Sequence, residues 1–256
     1  MQSTEISNLS LLFIIVFVMV PVSLSYLFSL NLSKTVIWSS VRGVAQLFLI
    51  GYVLTFLFNL PNWQGIGLWV SVMILVATLN ASRKAKGIPR VRLIVFVVIA
   101  LIEVSIISLW LLFGYIPFTV EKVIPVSGMI IGNSMVAIGL ALERLLSQFR
   151  EEKGRILAAL SLGATPRQAS IHIIRKTLRA AMIPNIDGLK TIGLVQLPGM
   201  MTGLILGGVS PMDAVRYQIV ISLSIFVSVA VSAMFVTIIL YQAFYNDKMQ
   251  LMELNT

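Results

Sequence analysis

The sequence contains no cysteine, which excludes disulfides, thiolate metal sites and cysteine nucleophiles. It has one histidine, His172, so a histidine-cluster metal centre cannot be built within one chain. Charge is also scarce. Only 11% of the 256 residues are Asp, Glu, Lys or Arg, against about 25% in an ordinary soluble domain. No G-x-x-x-x-G-K-[ST] phosphate loop occurs, so the chain cannot hydrolyse ATP by that route. What is abundant is apolar surface: 58% of residues are hydrophobic and the mean hydropathy is +0.96. A water-facing globule of this length needs far more polar surface, so a soluble enzyme is excluded and the solvent is mostly bilayer.

A helix needs about 20 apolar residues to cross roughly 30 Å of hydrocarbon. Residues 7–33 carry no charge and supply a first span, while the uncharged stretch 43–82 is too long for one helix and is divided by Asn59, Pro61 and Asn62. The expected fold is an all-α membrane protein of about seven transmembrane helices, near 7–33, 36–58, 65–80, 93–113, 123–142, 185–206 and 215–245. The whole chain, 1–256, is expected to form one transmembrane domain with a cytoplasmic helix-turn-helix region at about 143–184.

The formal charge of +9 reads first as topology. Arg83, Lys84, Lys86, Arg90 and Arg92 join spans three and four, and eight further basic residues lie within 143–179 after span five. The positive-inside rule places both stretches in the cytoplasm. The N-terminus then lies outside and the C-terminus inside a multi-pass protein of the cell membrane. Glu5 and the absence of a basic n-region make span one a membrane helix and not a cleaved signal. Trp63, Trp69 and Trp110 fall near the outer interface and Trp38 near the inner one, as aromatic belts do. The basic residues are not interleaved with stacking aromatics, which argues against nucleic acid.

The stretch 143–184 is too polar for lipid and too well patterned for a linker. A helix over 151–162 ends at Gly163, a residue able to adopt the left-handed conformation of a helix C-terminus. Thr165 and Pro166 then supply an N-cap and a favoured first helical position. In the helix that follows, Ile171, Ile174, Leu178 and Met182 mark one face and Gln168, His172, Lys176 and Arg179 another. This helix can lie on the membrane surface, or run into span six while presenting the turn at 163–168 to a cytoplasmic partner.

Residues 158–168, Ala-Ala-Leu-Ser-Leu-Gly-Ala-Thr-Pro-Arg-Gln, resemble the EAA loop of ABC-transporter membrane subunits. There a short coupling helix docks on a nucleotide-binding subunit. Leu157 stands where that family has glutamate, and Met182-Ile183-Pro184 is the nearest counterpart of its distal element. The blocks VIPVSGMIIGNSMVA at 123–137, SLGATP at 161–166 and GLVQLPGMMTG at 193–203 are similar to a permease family that includes bacterial iron-export permeases and plant permeases linked to aluminium tolerance. The resemblance implies an ABC-transporter permease working as a homodimer with a separate ATPase, which would hold ATP and Mg²⁺, to export a metal ion or metal complex. It also implies that Gly163, Ala164, Thr165, Pro166, Arg167 and Gln168 couple the two subunits.

Within the membrane, Glu103 stands at the middle of span four, where a charged carboxylate costs on the order of 2.5 to 3.5 kcal/mol. It is either a cation or proton site, or a packed partner of Arg42 or Gln46, or a protonated acid bonded to a carbonyl. Gln196-Leu197-Pro198-Gly199 lies inside span six, where proline removes a backbone hydrogen bond and should kink or break the helix. Glycines repeat every four residues at 199, 203 and 207, and at 128 and 132, as in closely packed membrane helices. Glu103, Asn133, Gln196, Met200 and Met201 are the candidates for a substrate pathway, with metal ligands unknown. Asp187 and Lys190 read as an ion pair at the inner end of span six. A secondary transporter or proton-coupled antiporter using Glu103 without an ATPase is the competing reading, and a non-transporting scaffold the third.

Overall fold

The computed structural model describes residues 8–85 and 87–252. Glu5 and Lys86, used above for orientation, lie outside the described residues. All regular secondary structure among the described residues is helical: α1 Asn8–Leu27, α2 Ser33–Leu57, α3 Asn62–Ser82, α4 Val91–Phe113, α5 Val120–Glu151, α6 Lys153–Ser161, α7 Pro166–Thr191, α8 Gly199–Leu206 and α9 Pro211–Leu240. Short 3₁₀ turns follow α3 at Arg83–Ala85 and α9 at Tyr241–Phe244. Among the described residues, five helices are long and apolar enough to cross a membrane: α2, α3, α4, α5 and α9, with α3 and α9 extended by their 3₁₀ turns. The chain divides into two compact units, Met1–Pro61 and Asn62–Thr256.

The first unit is the α1–α2 hairpin. Its reversal uses Ser29 and Asn31 in the left-handed region, at φ of 51° and 55°. The buried Ser25 hydroxyl accepts the Leu32 amide at 3.0 Å. Most of α2 is exposed, as expected for a helix whose apolar surface meets lipid.

The second unit is organised around α5, which packs against α3, α4, α7 and α9. Helices α5 and α9 run in the same direction and in one register. Lys122 Nζ lies 5.8 Å above the Tyr217 ring, and Phe149 stacks on Phe244 at 3.9 Å at the other end. These contacts stand about 40 Å apart along a helix. Helix α3 runs in this direction too: Asn62 Oδ1 accepts the Val120 amide at 3.4 Å, and Lys84 meets Glu143 at 3.1 Å. Gly128 explains part of the closeness, because a Cβ there would lie 3.6 Å from Met73. Helix α4 returns in the opposite sense and buries Trp110, whose Nε1 donates to Ser224 Oγ at 3.1 Å. Trp110 therefore faces into the helix packing and is not an interfacial belt residue, whereas Trp63 and Trp38 are exposed.

Arg83, Arg90 and Arg92 line a cavity of about 390 Å³ beside the turn into α4. This is the end at which α5 carries Arg144 and Arg150, and it is called the basic end below. Between the close of α5 there and the start of α9 opposite, the chain must return across the unit through α6, α7 and α8.

That return differs from the span expected at 185–206. Helix α7 begins at Pro166 and runs unbroken through Pro184 to Thr191, so the cytoplasmic region has no boundary at 184. After α7 the chain leaves the helix over residues 192–198 and resumes only in the eight-residue α8. At 1.5 Å per residue α8 is about 12 Å long, too short to cross a bilayer alone. The break expected at Pro198 is present, with Pro198 as the residue that caps α8. The apolar face of α7 also differs. Ser170, Ile173, Ile174, Thr177 and Ala181 are buried against α5 and α9, while Ile171 is exposed. Small residues permit close approach between helices, and of the expected face Ile174 is buried and Leu178 packs against the Ala141, Ala181 and Ala233 cluster, while Ile171 points away. Since α7 packs on α5 and α9, it does not lie free along a membrane surface.

Candidate functional site

Three features could carry function, and the sequence determines each locally. The first is the helix-turn-helix at the basic end. Helix α6 stops at Ser161, and Gly163 takes a φ of +88°, which a residue with a Cβ adopts only under strain. Thr165 then caps α7 through a reciprocal capping box. Its amide donates to Gln168 Oε1 at 2.8 Å, and its hydroxyl accepts the Gln168 amide at 3.3 Å. Pro166 occupies the first helical position. Gly163, Thr165, Arg167 and Gln168 are exposed, Ala164 and Pro166 half-buried, and Leu162 presents 89% of its surface.

Glu152 fixes the angle of this hairpin. Its carboxylate receives Lys176 Nζ of α7 at 2.6 Å, lies 3.4 Å from Arg155 of α6, and has His172 Nε2 at 3.9 Å. The Lys176 hydrogen bond, followed by the charges of Lys176, His172 and Arg155, holds the Glu152 carboxyl below its ordinary range. Beneath the hairpin, Ser170 and Tyr245 share a 2.6 Å hydrogen bond.

The second feature is Glu103. It is 1% exposed on α4, with the Ser127 hydroxyl of α5 beside it. Neither its carboxyl oxygens nor Ser127 Oγ forms a hydrogen bond of good geometry within this unit. Arg42 and Gln46 belong to the first unit, where both are exposed.

The third feature is the broken return. Gly193, at φ +81°, turns the chain; its amide donates to the Gln196 carbonyl at 2.9 Å, and the Thr191 carbonyl accepts from the amides of residues 194, 195 and 196. Gln196 is exposed, Met200 and Met201 are half-buried, and α8 packs on α9. Asn133, on α5, donates to the Met129 carbonyl of its own helix at 2.8 Å. The five pathway candidates therefore divide. Glu103 is enclosed between α4 and α5, and Gln196, Met200 and Met201 border an open break. The glycine stripe divides too: a Cβ at Gly132, Gly199 or Gly203 would meet nothing within 4 Å among the described residues of this unit, whereas one at Gly128 would touch Met73.

A family model described as an uncharacterised protein family, UPF0014, matches residues 8–245. The chain belongs to the UPF0014 family. It is 38% identical to the probable iron export permease protein FetB of Escherichia coli over 251 residues, which covers 98% of this chain and 97% of that protein. It is also 38% identical to the UPF0014 membrane protein YjkA of Bacillus subtilis, covering 95% and 97% of the two chains. The protein ALUMINUM SENSITIVE 3 of Arabidopsis thaliana is 35% identical, with 93% and 87% covered. No solved structure matches the chain significantly.

In this UPF0014 chain the residues that sequence reasoning missed are Glu152 and the depth of the Asp187–Lys190 pair. Glu152 lies 24 positions before Lys176, beyond the reach of any local pairing rule. The Asp187–Lys190 bridge, 2.8 Å long, is expected from the spacing, but it lies on α7 well away from the basic end. Among the described residues, no three His, Cys, Asp or Glu side chains cluster as metal ligands would.

Proposed function

We propose that this chain is the membrane-spanning permease of an ATP-driven exporter whose cargo is iron or a related metal ion, free or complexed. It works as one domain over 1–256, in a homodimer with two ATPase subunits that bind ATP and Mg²⁺. The orientation follows the positive-inside rule, with the basic end in the cytoplasm. The parallel directions of α3, α5 and α9 support seven crossings, in which α7, the break at 192–198 and α8 together make a discontinuous sixth. The printed names of the Escherichia coli and Arabidopsis relatives support the cargo class.

The observation that carries this reading is the knob at 162–168. An exposed leucine, a left-handed glycine and Arg167 stand at the tip of a rigid hairpin on the basic face, a shape suited to a groove on a cytoplasmic partner. The mechanical consequence follows from α7 being one helix of 26 residues, about 39 Å long. Closure of the ATPase dimer against the knob displaces α7 axially, and the movement is delivered to the break at its far end. Arg167→Glu combined with Pro166→Gly should abolish complex formation and ATPase stimulation. Unchanged complex formation would refute the knob as the coupling element.

One observation favours a second reading. Glu103 is a buried carboxyl with no hydrogen-bond partner in its unit, as a proton relay in a secondary transporter would be. Transport by the purified chain without an ATPase, abolished by Glu103→Gln, would select that reading; copurification of an ATPase with ATP-dependent efflux selects the first.

A further inference from the structure

The turn from α3 into α4 encloses a cationic cavity that neither the knob nor the orientation of the chain accounts for. Helices α3 and α4 contain 21 and 23 residues, about 32 and 35 Å of helix, close to the roughly 30 Å of a bilayer core. The turn that joins them therefore stands at the level of the lipid headgroups. Its cavity of about 390 Å³ is lined by Arg83, Arg90 and Arg92 together with Ser82 and Gly87, and by no acid. Topology requires positive charge near the end of a span; it requires neither a cavity nor guanidinium groups gathered around one.

These three charges are uncompensated among the described residues. The chain has no Asp or Glu between Glu5 and Glu103, and Glu143, the acid that reaches this turn from α5, is taken by Lys84 at 3.1 Å. Arg83, Arg90 and Arg92 enter none of the ion pairs that the described carboxylates form. Helix α4 contributes the same sign: Arg90 caps it with no side-chain hydrogen bond, and its first turn holds no acid, so the amides at its start also favour an anion. Guanidinium forks match phosphate oxygens bidentately, as ammonium groups do not. The volume falls within the range of about 300–1,000 Å³ of sites that take small molecules.

The flanks of the cavity supply the rest of the ligand. Val76 and Leu79, in the last turns of α3 before Arg83, and Leu93 and Val97, in the first turns of α4 after Arg92, are all exposed. A cationic cavity at headgroup depth, bordered by open apolar helix surface, has the two-part character of a phospholipid. We propose that it is a binding site for an anionic phospholipid of the cytoplasmic leaflet, with the phosphate held by Arg83, Arg90 and Arg92 and the acyl chains lying along α3 and α4. Basic pockets beside membrane helices recognise such headgroups. Because Lys84 ties the same turn to α5, the bound lipid steadies the basic end, whatever the cargo.

The test is native mass spectrometry of the full chain in an uncharged detergent, titrated with phosphatidylglycerol and, separately, with zwitterionic phosphatidylcholine. The wild type should bind phosphatidylglycerol about tenfold more tightly or better. Arg83→Gln/Arg90→Gln/Arg92→Gln should reduce that preference to within about twofold, whereas Arg144→Gln/Arg175→Gln/Arg179→Gln, which removes as much exposed charge outside the cavity, should keep it. Equal losses in the two triples would reveal a diffuse basic surface and overturn the site. Arg83→Lys/Arg90→Lys/Arg92→Lys retains the charge, and with it the orientation, yet should bind phosphatidylglycerol about threefold more weakly or worse than the wild type. This variant decides the matter if the glutamine triple does not fold, and unchanged affinity in it would overturn the assignment to the guanidinium groups. Glycerol 3-phosphate, which has the phosphate without the chains, should bind about a hundredfold more weakly than the lipid; comparable binding would make this a site for a soluble phosphate compound and remove the lipid as its occupant. An unchanged lipid preference in the glutamine triple, with loss of a copurifying ATPase, would give the arginines to that partner instead.

Discussion

Helix α5 and the α7–α8 return pass through the same unit, and both contain proline and glycine, yet one is continuous and the other is not. Helix α5 carries Pro125, Gly128, Gly132 and Gly139 and runs unbroken for 32 residues. Helix α7 likewise continues through Pro184 and Gly188, then ends at Thr191. The difference lies in what surrounds each segment. Neighbours enclose α5 on several sides, and Met73 and Lys84 fill the spaces beside two of its glycines. Helix α8 has no buried residue, and Leu194 in the break is 90% exposed. Adjacent helices thus fill the space beside Gly128 and Gly139 of α5, whereas α7 carries the exposed Pro184 and Gly188 beyond its last buried residue, Ala181, and ends ten residues after it.

The largest effect should come from the contact that closes the α5–α9 pair. Phe149→Ala removes the stack on Phe244 and the edge contact to Tyr245, and should cost about 3 to 5 kcal/mol in thermal unfolding of the purified chain. Leu194→Ala in the break should stay within about 0.5 kcal/mol. Comparable losses at the two positions would dissolve the contrast between packed and open segments.

A smaller effect is expected where the return touches the packed pair. Ala181→Leu forces a larger side chain between Ala141 and Ala233 and should destabilise by about 1 to 3 kcal/mol. Thr165→Ala removes the cap of α7 and should cost about 1 kcal/mol, read as faster amide exchange confined to its first turn.

The mildest change concerns Glu152. Its folded pKa lies below the ordinary 4.5, so its contribution is complete at neutral pH, persists down to that value, and is lost only as the pH falls through the lower folded value. Glu152→Gln should remove this acid dependence and loosen α6 against α7 at pH 7 with little change in global stability, as measured by the distance between spin labels on the two helices.

Much of this organisation is legible in the sequence because it is local. The uncharged runs mark α2, α3, α4, α5 and α9, and Gly163, Thr165 and Pro166 mark the knob, since caps and left-handed glycines act within a few residues. Pro198 marks the break for the same reason. The buried stripe of α7 is legible only in part: Ile174 and Leu178 of the expected face pack inward, but Ser170, Thr177 and Ala181 are buried too, and hydrophobic periodicity, which selects large residues, passes over them. Trp110 misleads similarly: its amphipathic ring suits an interface, but Ser224 offers its indole a partner inside. The role of Glu152 depends on Lys176, 24 residues away in sequence, and only the folding of α7 back against α6 reveals it.

Because the chain has no cysteine, a single introduced thiol reports its surroundings without background. A water-lined return requires that the break at 192–198 open to water while α5 stays sealed. With a membrane-impermeant maleimide applied to the assembled protein in membranes, Gln196→Cys should label and Ser134→Cys, at a position 1% exposed, should not. A Gln196→Cys thiol as silent as Ser134→Cys, with and without ATP, would contradict a water-lined route through the discontinuous return.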